Sequence, residues 1–380
     1  MKQAAGYLEN YLRNNYQLRV ELPSLDYQPG SVLVFRLKNP RIYGGEQQQN
    51  VFLRANSIEA RVPLSSLWSD PFLVNLLTVD SPELYPENLP SVRRKTGEQT
   101  EGRGFHIQKI NITGGGLEYL RLQVREVALD ASVDSHGVQL RDLHAKLADG
   151  ELRAEGALYG YENPRYKLRY TFSGNAEGLR QFVDTMPPLS GTIRTSGDVS
   201  GSRQFYKIAG HAEAQRLSLY KETPFPAKTI YTIDTRNRAM PYEFHATWSS
   251  MPASVAGKFF LKIPLISSTI NGNADYKGSK DFWNGTATAQ LEIIPRAGTD
   301  GLKLAGIVNA ELEDRAIHLS QTTLRMARSR VQVSGKVYQN TLQLHAKANI
   351  ASLSDLAFLQ LKMRQFPGSY IVDADIQGPF

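Results

Sequence analysis

Leu342-Gln-Leu-His-Ala-Lys-Ala-Asn-Ile350 alternates apolar and polar side chains along its length. Successive side chains of a strand point to opposite faces, so this stretch predicts a strand that is apolar on one face and wet on the other. Tyr166-Lys-Leu-Arg-Tyr-Thr-Phe172 has the same rhythm. So do Leu120-Arg-Leu-Gln-Val124, Leu152-Arg-Ala-Glu-Gly-Ala-Leu158, Leu302-Lys-Leu-Ala-Gly-Ile-Val308 and Val331-Gln-Val-Ser-Gly-Lys-Val337. One-sided alternation marks antiparallel sheets, whereas parallel sheets under helices read as unbroken Val, Ile and Leu runs, which are scarce here. The expectation is an all-β chain with a few short helices, and a doubly wound nucleotide fold is disfavoured.

Helical spacing is confined to brief segments. They are the N-terminal stretch with Ala4, Ala5, Leu8, Leu12 and Tyr16, and Ser65 to Leu77 with Leu67, Trp68, Phe72, Leu73 and Leu76. Two more are Ala176 to Met186, stopping before Pro187-Pro188, and Ser352 to Met363, stopping before Phe366-Pro367-Gly368. Pro86 to Gly104, with Arg93-Arg94-Lys95 among its prolines and glycines, predicts a long loop. Glycine recurs on strands at Gly191, Gly197, Gly201 and Gly210. Inside a strand it is tolerated where a sheet bends or bulges, so these positions predict a sheet that curls and encloses its apolar face.

The chain has 380 residues, 41% of them hydrophobic and 21% charged, and no cysteine. It is a folded protein without disulfides, thiolate metal sites or cysteine nucleophiles. No stretch approaches about 18 consecutive apolar residues, and the N-terminus lacks the pattern of a secretion signal. Its first residues could continue an upstream helix. A net charge of +7 suits an anionic partner such as a phospholipid surface or nucleic acid without demanding one.

Catalytic and metal signatures are thin. His106, His136, His144, His211, His245, His318 and His345 are scattered and form no metal-ligand spacing, and His144 and His345 fall on polar strand faces. Ser218-Leu-Tyr-Lys221 and Lys95-Thr-Gly97 fit pieces of a β-lactamase-like site but in the wrong order, with the third piece missing. Asp130/Asp134 and Glu311/Glu313 have same-face spacing on a strand, the spacing of a solvated face. Gly114-Gly115-Gly116 joins strands with no helix behind it, so it predicts a hairpin turn or bulge and not a phosphate loop. Tyr159, Tyr161, Arg165, Tyr166, Lys167, Arg169 and Tyr170 mix aromatic and basic residues, as base-stacking sheets do. Alternation puts Tyr166 and Tyr170 opposite Lys167 and Arg169, so no nucleic-acid partner is expected. Catalytic residues, metal and cofactor are all expected to be absent.

Leu147 to Leu158 can be laid on Met326 to Val337, with the apolar positions and the central glycine in step. In both places a loop, a one-sided strand, a short helical segment and a Pro/Gly ending follow. Four modules are expected: 1–100, 101–191 as the first copy, 192–320 as a central module, and 321–380 as the second copy.

Several phrases resemble the AsmA-like proteins of the diderm bacterial envelope, and among them the TamB-like branch. Tyr7 to Leu25 leading into Val34-Phe-Arg-Leu-Lys-Asn-Pro-Arg-Ile-Tyr43 resembles the segment after that family's N-terminal membrane anchor. Ala55 to Trp68 and Leu76 to Tyr85 are similar to its strand, short helix, strand unit. Phe105-His-Ile-Gln-Lys-Ile-Asn-Ile-Thr-Gly-Gly-Gly-Leu117 resembles its recurring strand, glycine, strand phrase. The resemblance implies an elongated antiparallel sheet folded over along its length into a groove, a repetitive β-taco. It further implies a periplasmic protein anchored to the inner membrane, carrying phospholipid towards the outer membrane. The anchor and the C-terminal domain that meets an outer-membrane barrel partner are not seen in these residues.

An acyl chain in water costs about 0.8 kcal/mol per methylene, so a lipid crossing an aqueous gap needs a continuous apolar companion surface. The residues expected to line such a groove are Leu152, Ala154, Leu158, Leu168, Tyr170, Phe172, Val331, Val333, Val337, Leu342, Leu344 and Ile350. An ordinary closed core between two packed sheets needs the same pattern. The alternative of another class is a scaffold that assists outer-membrane protein insertion by pairing its strand edges with a client.

Overall fold

The alternating stretches are strands. The computed structural model describes residues 9–10, 19–44, 50–69, 72–88, 105–119, 122–160, 163–181, 187–255, 267–296, 303–352 and 368–379. The chain is nearly all β, with 73% of it in strands, mostly antiparallel, and 7% in short helical segments. It divides into two compact units. The first comprises Met1–Gly174, Gly178–Asp184 and Asp198–Arg203, and the second Asn175–Glu177, Thr185–Gly197 and Gln204–Phe380.

In the first unit the strands begin with β1 (Arg19–Glu21), β2 (Ser24–Gln28), β3 (Val32–Lys38), β4 (Arg41–Gly44) and β5 (Asn50–Arg54). They continue with β6 (Ser57–Pro63), β7 (Phe72–Val74), β8 (Leu76–Asp80), β9 (Glu83–Leu84) and β10 (Phe105–Ile107). Last come β11 (Lys109–Tyr119), β12 (Leu122–Val133), β13 (Gly137–Leu147), β14 (Gly150–Tyr159) and β15 (Arg165–Asn175). From β11 to β15 each strand pairs antiparallel with the next. β11 is also parallel to β8 along Ile110–Thr113 and to β9 at Gly116–Leu117.

The helix expected over Ser65 to Leu77 is not formed. Only Leu64–Trp68 is helical, as a 3-10 turn, and β7 and β8 follow. Pairing decides the outcome: β8 is held between β6 and β11, and Val74 of β7 is buried against Leu33 and Val62. The spacing of Leu67, Phe72 and Leu76 fits a helix, but short apolar runs do not distinguish helix from buried strand. Ala176–Gln181 is a 3-10 turn, shorter than the expected helix, and 182–186 lies outside the described residues. Ala4, Ala5, Leu8, Leu12 and Tyr16, the segment 353–363, and 89–104 of the expected loop also lie outside them.

Gly114-Gly115-Gly116 does not join two strands; it forms a bulge inside β11, where the register with β12 shifts twice. β8 and β9 are separated by a kink at Ser81-Pro82, and β11 follows it. Ser81 N–H donates to Thr113 O at 2.7 Å and Gly116 N–H to Pro82 O at 2.6 Å. A Cβ on Gly115 would stand 3.1 Å from the Pro82 ring and 3.3 Å from Val127, so a larger residue there would have to push these side chains aside by a few tenths of an ångström, and Gly114 takes the left-handed φ of +66° that favours glycine.

In the second unit the strands are β16 (Leu189–Ser190), β17 (Thr192–Gly201, of which Asp198–Gly201 belongs to the first unit), β18 (Tyr206–Leu219), β19 (Phe225–Asp234), β20 (Tyr242–Pro252) and β21 (Ser268–Gly278). They end with β22 (Thr286–Pro295), β23 (Leu304–Glu313), β24 (Ala316–Met326), β25 (Ser329–Val337), β26 (Thr341–Ile350) and β27 (Tyr370–Pro379). From β18 to β27 every strand pairs antiparallel with its successor. The β23–β24 turn is the tight two-residue kind, with both Asp314 and Arg315 at positive φ (51° and 61°).

Gly156 and Gly335, the matched central glycines of the repeat, share an unusual geometry. Their φ values are +145° and +134°, and a Cβ would stand 2.2 Å from Lys167 O and 2.2 Å from Gln343 O respectively. Only glycine lets the neighbouring strand approach this closely. Gly137, Gly191 and Gly306, outside the two matched stretches, have the same positive φ and the same close approach of a neighbouring carbonyl oxygen, so the geometry is a recurrent device of the sheet and not a mark of the repeat.

Candidate functional site

Register sorts each strand's residues into two faces. In the first unit Leu152 stands opposite Phe172, Ala154 opposite Tyr170, Gly156 opposite Leu168 and Leu158 opposite Tyr166. In the second, Val331 stands opposite Ala348, Val333 opposite Ala346, Gly335 opposite Leu344 and Val337 opposite Leu342, with Ile350 at the end of β26. The twelve expected residues thus fall on one face in each unit. Their sequence neighbours Arg153, Glu155, Lys167, Arg169, Gln332, Gln343 and Lys347 are exposed on the other. Tyr166 and Tyr170 are half-buried, opposite the exposed Lys167 and Arg169, and Arg169 pairs with Glu155 at 3.3 Å.

The apolar face extends well beyond those twelve. Carrying the register from β18 to β27 gives rows such as Ala246, Ala274, Ala289 and Ala310, or Trp248, Gly272, Leu291 and Val308. No Asp, Glu, Lys or Arg falls on this face anywhere along those ten strands. The same holds from β12 to β15 in the first unit. The charged residues are on the reverse side, where His345 faces Asp375 at 2.8 Å and Asp373 at 3.3 Å, and His245 faces Asp275 at 2.7 Å.

Ten strands without one charge on a face would ordinarily mark the inside of a sandwich, whose residues are buried. Here most are only half-buried: Leu152, Ala154, Leu158, Leu168 and Tyr170 in one unit, and Val331, Val333, Val337, Leu342 and Leu344 in the other. Phe172 (8% exposed) and Ile350 (2%) are the buried exceptions, and both lie towards the same end of their strands' alternating pattern. In the second unit burial follows that border. Phe225, Ile270, Leu304, Met326 and Ile350 are buried along it, where the turns after β18, β20, β22, β24 and β26 lie. At the opposite border Gly278 and Leu312 are buried, but Tyr242, Tyr276, Ile317, Val337 and Leu342 are only half-buried and Tyr206 and Phe282 are exposed, so the face is open there. The second unit's apolar face is closed along one border and open along the other.

Two hydrogen-bonding atoms on this face, Trp248 Nε1 and Thr322 Oγ1, are buried without a partner among the described residues. Trp248 packs over Gly272, where a Cβ would stand 2.6 Å from the indole. Towards the open border Tyr242, Phe244, Tyr276 and Phe282 form a stack, with ring centroids 6.3, 6.3 and 5.5 Å apart in succession. Burial first, and then the charge of Asp281, raises the Tyr276 phenol above its ordinary value. The twelve expected residues omit this aromatic group, although Tyr242-Glu-Phe-His-Ala-Thr-Trp248 alternates as clearly as any of the stretches that announce the fold.

The other groups with chemistry are separate. A cavity of about 470 Å³ opens on the charged face over β19 to β23, lined by His245, Asp275, Lys277, Thr288 and Glu311 among others. Its cross-strand order is His245, Asp275, Thr288, so the carboxylate stands between the imidazole and the only nearby hydroxyl of that row. A nucleophilic triad needs the imidazole in the middle. Ser218 is buried and donates to Glu222 O at 2.7 Å, which closes a turn; Lys95-Thr-Gly97 lies outside the described residues. Asp134 accepts from His136 N at 2.7 Å and Gly137 N at 3.0 Å, which caps the β12–β13 turn and does not converge with Asp130. Among the described residues no three His, Asp or Glu side chains gather as a metal site would require.

No protein family, curated protein or solved structure matches the chain.

Proposed function

We propose that the chain is a non-enzymatic conduit for phospholipid, guiding acyl chains across the periplasm between inner and outer membranes and so supporting outer-membrane biogenesis. The observation that carries this reading is the charge-free face maintained from β18 to β27 and left half-covered. Contiguous apolar surface of this kind marks a binding site, and an uninterrupted one suits a ligand that slides. A head group needs no pocket in such a mechanism, because it stays in water at the open border while the chains move along the floor. The resemblance to AsmA-like and TamB-like proteins supports the same reading and supplies the compartment.

The test is photo-crosslinking in cells with the probe placed in turn at Leu342, Gln343, Leu344, His345 and Ala346, scoring attachment of phosphate-labelled lipid. Labelling at Leu342, Leu344 and Ala346 but not at Gln343 and His345 is expected. No labelling at any of the five, in folded protein, would mean a dry core and overturn the proposal.

A further inference from the structure

The open border of the second unit is not uniform. Phe205 (37%) and Tyr206 (43%) are exposed at the start of β18, and Phe282 (42%) at the turn between β21 and β22. The β19–β20 turn stands between them and is tied to β18 by Thr235 N–H donating to Tyr206 O at 3.0 Å. Arg236 of that turn lies over the Phe205 ring, 5.5 Å from its centre. Aromatic rings and cations together at a boundary between apolar surface and water are the composition of a lipid interface.

The charges on these turns are unequally engaged. Asp234 is held by Arg236 at 2.5 Å, and Asp281 accepts from Trp283 N at 3.1 Å and Asn284 Nδ2 at 2.8 Å. Both carboxylates are thereby spent on their own turns. Arg238 and Lys280 are exposed and have no ion-pair partner among the described residues. They stand on neighbouring hairpins, whose centres are about 10 Å apart at two strand spacings, a gap that two long side chains can close around one phosphate. From Phe282, on the second of these turns, the stack leads through Tyr276 and Phe244 onto the apolar face, whose next row is Ala246, Ala274 and Ala289. Cation, aromatic, then aliphatic is the polarity order of a phospholipid from phosphate to chain.

We infer that this border is a lateral port for a single anionic phospholipid, with its phosphate between Arg238 and Lys280 and its acyl chain over Phe282, Tyr276 and Phe244. The inference rests on the conduit reading and adds to it a place where lipid joins or leaves the groove from the side. A port needs one border open and its floor graded in polarity, and this segment has both.

The test places a benzophenone amino acid at Phe282 and, separately, at Leu344, and adds vesicles containing phosphatidylglycerol. Both positions are expected to label. A charge contact near a lipid phosphate is worth about 1 kcal/mol, so Arg238→Gln or Lys280→Gln should each raise the lipid concentration for half-labelling at Phe282 about fivefold, and the double variant about 30-fold. Both side chains are exposed, so the melting temperature should not move. Labelling at Leu344 without Phe282 would overturn the port and leave the conduit standing, whereas labelling at neither would overturn both. Labelling at Phe282 unchanged in the double variant would show that the aromatic stack is only a structural staple with incidental lipid contact. Displacement by inorganic phosphate as effective as by a short-chain phosphatidylglycerol would show an anion site and refute the port.

Discussion

Gly335 offers the sharpest test of how the sheet is built. Replacing it by alanine adds one methyl group at φ +134°, 2.2 Å from Gln343 O, where side-chain carbons are essentially never found closer than 3.0 Å. Holding a non-glycine residue at such a φ costs about 1–3 kcal/mol. Relieving the clash means moving β26 away, which weakens two ladder hydrogen bonds worth about 1 kcal/mol each. Against this, alanine restricts the unfolded chain and returns about 0.4–1 kcal/mol. The net loss is about 2–5 kcal/mol, or a fall in melting temperature of roughly 4–18 °C for a unit of this size. Two neighbouring glycines separate the contributions. Gly368 has φ +137° with nothing within 4 Å of the added carbon, so Gly368→Ala should show the strain alone. Gly378 has neither a positive φ nor a neighbour within 4 Å, so Gly378→Ala should be neutral or slightly stabilising. Thermal unfolding by circular dichroism, with hydrogen exchange of the β25 and β26 amides to localise the damage, measures all three. If Gly335→Ala melted within a degree of Gly378→Ala, the close approach of β25 and β26 would be wrong, and with it the geometry shared with Gly156.

Three other outcomes are expected. Hydrogen bonds from Arg36 first and Arg61 next hold Glu59 below its ordinary value of 4.5, so its contribution is present above that value and lost as pH falls through the lowered one. Glu59→Gln should therefore melt lower than the parent at pH 7 and converge with it on acidification; a gap that is constant with pH would refute the ion-pair origin. Asp234, drawn down to about 2 by Arg236, should keep its charge throughout that titration, which carbon-detected NMR of its carboxyl would show. Leu344→Lys puts a charge on the uncharged floor and should abolish lipid labelling at Ala346, while Gln343→Lys on the reverse face should leave it unchanged, with equal labelling in both counting against a groove.

Most of the strand content is legible because period-two alternation is local: Leu342 to Ile350 declares its faces without help from any other segment. What escapes is decided by partners far along the chain. Leu67 to Leu76 reads as helix because its spacing fits one, and only the strands on either side of β8, which belong to distant segments, make it β. The two borders of the apolar face are likewise invisible in sequence. Phe225 and Tyr231 lie in the same phase of β19, yet one is buried and the other half-covered.

Pairing each strand with its successor from β18 to β27 makes this a sheet assembled by addition. No contact there waits for the two ends of the chain to meet, so hairpins can form in the order of synthesis, and a β protein acquires the short contact separations more usual in helical ones. The arrangement also sets a rule for how such a chain changes length in evolution. Because successive strands run in opposite senses, loss or duplication of one strand would interchange the closed and open borders beyond that point, whereas loss or duplication of two would leave them aligned. Insertions and deletions should therefore come in pairs of strands, a hairpin at a time.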